Sequence, residues 1–180
     1  MRRTVALAVA ALAAGLALGG CGIGANSSLA SIPPASLGPA GAVTGATAQT
    51  RGLIAASLAS VPVQLDDTQR PYRPPESARL RDAPRAVYQI VLPDQPDAGF
   101  VVVYEFPDAA AAVDAGNEEA GYLGTGPARV NFPRDAQHVL REVGPTLILF
   151  TWSPSDADAT TETAIAASLG TLGIGFSIPR

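Results

Sequence analysis

The sequence contains no lysine: all twelve of its basic residues are arginines, and cysteine, histidine, methionine and tryptophan occur once each. These absences exclude several kinds of chemistry. Without lysine there is no Schiff-base amine. One histidine and one cysteine cannot make a usual zinc site, and one cysteine cannot close a disulfide within the chain. Aromatic residues are 6% of the total, and the formal net charge of -4 argues against nucleic acid as a main partner, because a phosphate backbone rewards a basic surface. The 47% of hydrophobic residues is too much for a wholly disordered chain and too unevenly spread for a multi-span membrane protein.

The first residues read Met1-Arg2-Arg3-Thr4, then an apolar run from Val5 to Leu18 broken by Gly15, then Gly19-Gly20-Cys21. Two cations, an apolar stretch and small residues are the three parts of an export signal. Leu18-Gly19-Gly20-Cys21 resembles the lipobox of bacterial lipoproteins. That resemblance implies cleavage before Cys21, with Leu18, Gly19 and Gly20 as the recognised residues. It also implies a diacylglycerol, and further acylation such as palmitate, on Cys21. An uncleaved anchor over Val5 to Gly20 and an ordinary secretory signal are the alternatives, and the paired glycines with one cysteine favour cleavage. Several fatty chains hold a protein stably at a membrane, each buried methylene contributing roughly 0.8 kcal/mol. Arginine in place of lysine, with abundant alanine, 18 glycines and 16 prolines, agrees with a bacterial, GC-rich coding sequence.

The chain divides into a signal peptide over 1–20, a lipidated cysteine and flexible tether over 21–49, and one domain over 50–180. Residues 22–48 carry no charge and little to bury, so as a random coil they span roughly 29 Å. Leu53, Ile54, Leu58 and Val61 fall at helical spacing, predicting a helix over 50–60 that ends before Pro62. Val61 to Leu65 is an alternative short strand. Pro71, Pro74, Pro75 and Pro84 then forbid a long helix or a central strand and leave an irregular segment.

Alternation resumes at Ala86–Leu92 and Phe100–Phe106, two strands joined by a turn-rich connection. Pro107 and Asp108 open a helix whose stripe of Ala109, Ala112, Val113, Gly116 and Ala120 suits close packing on a sheet. His138–Val143 and Thr146–Trp152 repeat the strand pair around Gly144-Pro145. A second helix follows, capped by Ser155 or Asp156 and carrying Ile165, Leu169 and Leu172. The tail from Phe176 adds a short strand or packs across an edge. The fold expected is α+β: a two-layer sandwich with an antiparallel sheet of four or five strands and helices on one face. The run YEFPDAAAAVDAG from Tyr104 to Gly116, with YLGTG and LILFTW after it, is similar to small exported lipoproteins of unassigned function.

No catalytic, cofactor-binding or metal site is expected. A triad would need His138, yet no G-x-S-x-G turn presents a serine. Asp66-Asp67 and Asp156-Ala157-Asp158 lack the full calcium-loop pattern, and the latter pair reads as helix capping. Glu118 and Glu119 point about 100° apart on a helix, so they read as a solvated face rather than a convergent acid pair. Charge is polarised: residues 51–85 hold six arginines against four acids, residues 86–180 four against twelve. The Pro/Arg segment is therefore expected to lie across the acidic part, or, with Tyr72, to meet anionic headgroups or an envelope polymer.

These readings lead to a membrane-anchored, non-enzymatic lipoprotein of the cell envelope, facing outside the cytoplasm, that acts as a binding or assembly module. Its partner is the membrane through Cys21 and an unidentified envelope protein or polymer. A small-ligand binder using Tyr88, Tyr104, Phe150 and Trp152 is the alternative, and an enzyme the third reading. A pocket lined by aromatics would favour the binder, a filled sheet and helix layer the assembly module, and a cleft containing His138 the enzyme.

Overall fold

A computed structural model describes residues 44–68 and 72–179, all within the compact unit Pro34–Arg180. The expected signal peptide, the lipobox with Cys21, nearly all of the tether, and Arg70 with Pro71 lie outside the described residues. Helix α1 (Gly45–Ser57) starts five residues before the expected position, because Thr44 caps it. The Thr44 side chain accepts from Thr47 N and the Thr47 side chain accepts from Thr44 N, a reciprocal capping box. A 3₁₀ turn, Leu58–Ser60, then drops Leu58 and Val61 into the core.

One antiparallel sheet of six strands runs in the order β1-β2-β3-β5-β4-β6. The strands are β1 (Gln64–Asp67), β2 (Arg85–Val91), β3 (Gly99–Glu105), β4 (Gln137–Val143), β5 (Thr146–Trp152) and β6 (Ile174–Gly175). The proline-rich segment keeps its irregular course, apart from edge strand β1 and the five-residue helix α2 (Ala78–Asp82). Gly144, with φ of 59°, supplies the positive φ required at the first central position of the two-residue turn between β4 and β5.

The α+β class and the antiparallel sheet bearing helices are as the alternation indicates, with two short edge strands bringing the count to six. The helices occupy both faces rather than one. On β3, Val101 and Val103 join one core while Val102 and Tyr104 join the other. Helices α1 and α5 (Ala159–Leu169) cover the first face with Ile54, Ile165 and Leu169. Helix α3 (Ala109–Leu123) covers the second, with Ala112, Ala115, Ala120 and Leu123. Continuous burial at Val101–Tyr104 and Leu147–Phe150 is the reason: strands apolar at every position need cover on both sides.

The repeated plan of two strands and a helix therefore does not form a symmetric pair. Antiparallel neighbours β3 and β5 are related by rotation about an axis normal to the sheet, which keeps each face in place, yet α3 and α5 lie on opposite faces. Helix α3 instead acts as a crossover. It carries the chain from β3 past β5 to β4, which runs parallel to β3.

Candidate functional site

The face under α1 and α5 is filled. Tyr88, Phe150, Ile148 and Val103 are each no more than 1% exposed, and the buried hydroxyls of Thr50 and Thr146 satisfy one another at 2.8 Å. The face under α3 is filled only in part. Beyond the end of α3 the short helix α4 (Gly126–Arg129), the loop to β4, and the tail after β6 surround a cleft of about 760 Å³. Its walls include Leu123, Arg129, Phe132, Arg134, His138, Phe176 and Ile178.

Local sequence explains why the walls stand where they do. Gly116 on α3 lies against the Phe176 ring, and a Cβ at residue 116 would approach that ring to 2.2 Å. The glycine in the small-residue stripe thus admits the tail, not a strand of the sheet. Arg141 fixes the start of the tail through Nε donating to the Leu172 carbonyl at 2.5 Å and Nη2 donating to the Gly173 carbonyl at 2.8 Å. Opposite, Phe132 meets His138 edge-on at a centroid distance of 4.9 Å.

The cleft has a definite electrostatic character. Arg51, Arg73, Arg79 and Arg85 all pair with carboxylates, and Arg141 is taken up by carbonyls. Arg129 and Arg134 form no ion pair among the described residues, and both line the cleft. The acid next in sequence, Asp135, makes no ion pair with them; hydrogen bonds from the Ser153 and Ser155 side chains lower its pKa and hold its carboxylate. Among the described residues no carboxylate lines the cleft.

His138 sits in the cleft wall, half-buried, with Nδ1 2.9 Å from Thr151 Oγ1. Burial pushes its pKa down to about 4, so the ring is neutral at physiological pH. Among the described residues no serine, cysteine, tyrosine or acid shares the cleft lining with it. The ring has no lining nucleophile to activate and no carboxylate to orient it, both of which a triad requires. Among the described residues no group of three His, Cys, Asp or Glu side chains is placed to hold a metal ion.

Several polar residues stand elsewhere than the sequence indicates. Glu119 is fully buried, not solvated: it accepts from Ser77 N at 2.8 Å, and burial raises its pKa despite that bond. Glu118 remains on the exposed side and pairs with Arg79 at 3.1 Å. Beside Glu119, buried Glu76 accepts from the Tyr104 hydroxyl at 2.5 Å and pairs with Arg73 and Arg85. Burial, and then the neighbouring carboxylate, raise the Tyr104 pKa strongly. These contacts pin the Pro/Arg segment across the α3 face, but of its described arginines Arg79 alone pairs with acids of the acidic part, Glu118 and Asp114, while Arg51, Arg73 and Arg85 pair with acids of their own segment. Tyr72 stacks on Phe100 at 4.3 Å.

Asp158 takes the N-cap position of α5 but makes no side-chain cap bond; its carboxylate accepts from Asp94 N and Gln95 N in the β2–β3 connection. Asp156 accepts from Ser153 N. Tyr88, Tyr104 and Phe150 are core residues, and Trp152 stacks on Phe150 at 5.6 Å, so these aromatics do not line the cleft. Phe132 and Phe176 take that role. Nothing in their own sequence surroundings marks them, since the cleft is assembled from residues far apart in the chain.

The fold and the site together define a class: an α+β domain on a six-stranded antiparallel sheet, with a basic, partly aromatic cleft at one end of one face. No protein family, curated protein or solved structure matches the chain.

Proposed function

We propose that the chain is a lipid-anchored protein of the bacterial cell envelope, facing outside the cytoplasm, whose domain is a non-enzymatic binding module. The observation that carries the binding reading is the cleft with two unpaired arginines on a sheet that is otherwise filled on both faces. Clefts of roughly 300–1,000 Å³ with a few convergent polar groups are the usual form of a small-molecule site. The anchoring part rests on Leu18-Gly19-Gly20-Cys21 and the apolar run before it. Among the described residues no helix is long and apolar enough to cross a membrane.

One observation favours catalysis as a second reading, namely the position of His138 in the cleft. Its depressed pKa makes it a weak base at neutral pH, and its hydrogen bond runs back to Thr151, which does not line the cleft. A neutral ring contributing to the wall suits binding better.

Fractionation of cells producing the full chain tests the anchor. Wild type should enter the membrane fraction and incorporate labelled palmitate. Cys21→Ser should lose the label and leave the membrane, whereas an unlabelled variant retained there without cleavage would contradict the lipoprotein assignment.

A further inference from the structure

The chemistry of the cleft goes further than the statement that it binds something. A guanidinium carries five donors and a permanent charge, and in this acidic chain Arg51, Arg73, Arg79 and Arg85 are each paired with a carboxylate. Arg129 ends α4 and Arg134 lies within the connection to β4, separated by Val130, Asn131, Phe132 and Pro133, and both line the cleft. The same cleft is lined by Phe132, Phe176, Leu123 and Ile178. A bare inorganic anion would use the two cations and leave this apolar wall wet. A neutral apolar compound would leave both charges without a partner.

Resting on the binding-module reading, we propose that the cleft takes a small organic anion, a phosphate or carboxylate joined to an apolar ring or short chain. The anionic group is held by Arg129 and Arg134, and the apolar part lies against Phe132, Phe176 and Ile178. Guanidinium forks match both oxyanions, and charge-assisted bonds of this kind are about twice as strong as neutral ones. The ligand is either a free solute or the headgroup region of an anionic lipid beside which the anchored domain sits.

The test uses the full chain in nanodiscs of neutral phosphatidylcholine, titrated with phenyl phosphate, inorganic phosphate and benzyl alcohol while the rings of Phe132, His138 and Phe176 are followed by NMR. Phenyl phosphate should shift all three rings and bind at least tenfold more tightly than either control. Arg129→Gln with Arg134→Gln should weaken it about a hundredfold, as loss of two charge-assisted contacts implies. Both side chains are exposed, so the fold should persist, and an unchanged spectrum outside the cleft checks this. Replacing part of the phosphatidylcholine by phosphatidylglycerol separates the sources. Competition with phenyl phosphate identifies a lipid headgroup, and unchanged phenyl phosphate affinity identifies a free solute; both support the proposal. Equal binding of phenyl phosphate and benzyl alcohol, or insensitivity to the double substitution, would overturn the anion assignment while leaving the binding reading intact. No shift of the three rings with any of the probes would overturn this proposal, and failure of cells to load the cleft would then remove the binding reading separately.

Discussion

The two faces of the sheet solve the same packing problem differently. Under α1 and α5 the space is occupied by Ile54, Ile148, Phe150, Ile165 and Leu169, none measurably exposed, and a threonine pair within it satisfies its own hydroxyls. Under α3 the core is interrupted twice, by the buried network of Glu76, Tyr104 and Glu119 and by the cleft beyond Leu123. Close-packed interiors do not leave such openings without cost, since lining atoms lose partners. The first face therefore reads as the scaffold. The second is where the fold gives up packing and holds two unpaired cations, which is the arrangement a ligand would complete.

The largest expected effect separates the two faces directly. Phe150→Ala should cost about 3–5 kcal/mol in urea unfolding, the usual range for emptying a core aromatic site. Phe132→Ala, half-buried on the cleft wall, should cost less than about 1 kcal/mol. Equal losses would abolish the distinction between scaffold and site. Next comes the buried network: Glu119→Ala should cost about 1–3 kcal/mol by leaving Ser77 N without its acceptor, and Glu119→Gln should recover most of it.

The first face also carries a buried glutamate, Glu162, which lacks the arginine partners that Glu76 has on the second. Glu162 on α5 is 3% exposed, Oε2 finds no partner, and burial with the charges of Asp156 and Asp158 pushes its pKa up to about 7. The folded state thus holds a proton that the unfolded state has released by about pH 5. Stability from this group is full below the ordinary glutamate pKa and is lost as pH rises through about 7. Glu162→Gln should accordingly stabilise the protein by about 1–3 kcal/mol at pH 8 and by almost nothing at pH 4. A pH-independent difference between variant and wild type would contradict the assignment. The smallest effect belongs to the surface: Arg79→Ala, which breaks exposed pairs with Glu118 and Asp114, should change stability by no more than about 0.5 kcal/mol.

Much of the fold was legible because it rests on local periodicity. The four long strands, α3 with Asp108 as its cap, and the Gly144-Pro145 turn all follow from alternation, capping and turn chemistry. The second helical layer was legible too, in the unbroken run Val101–Tyr104, but alternation alone draws the eye to one face. Helix α1 begins early because a threonine at Thr47 completes the capping box, in place of the usual glutamate or glutamine. Glu119 misled for a different reason. Helical geometry correctly separates it from Glu118, yet only the tertiary placement of Ser77 supplies the N–H donor that accompanies its burial. The cleft was not legible at all: Leu123, Phe132, His138 and Phe176 meet only after the crossover and the returning tail are in place, and no spacing in the chain encodes that meeting.

The central claim is that the cleft on the α3 face is the place for a partner. Photo-crosslinking in intact cells tests it most directly, with a benzophenone amino acid replacing Phe132 in one full-length variant and Leu53, exposed on α1, in another. The account predicts a discrete adduct of small mass at position 132 that is lost when Arg129 and Arg134 are changed to glutamine, and no such adduct at position 53. The same adducts at both positions, or a Phe132 adduct indifferent to the two arginines, would contradict it.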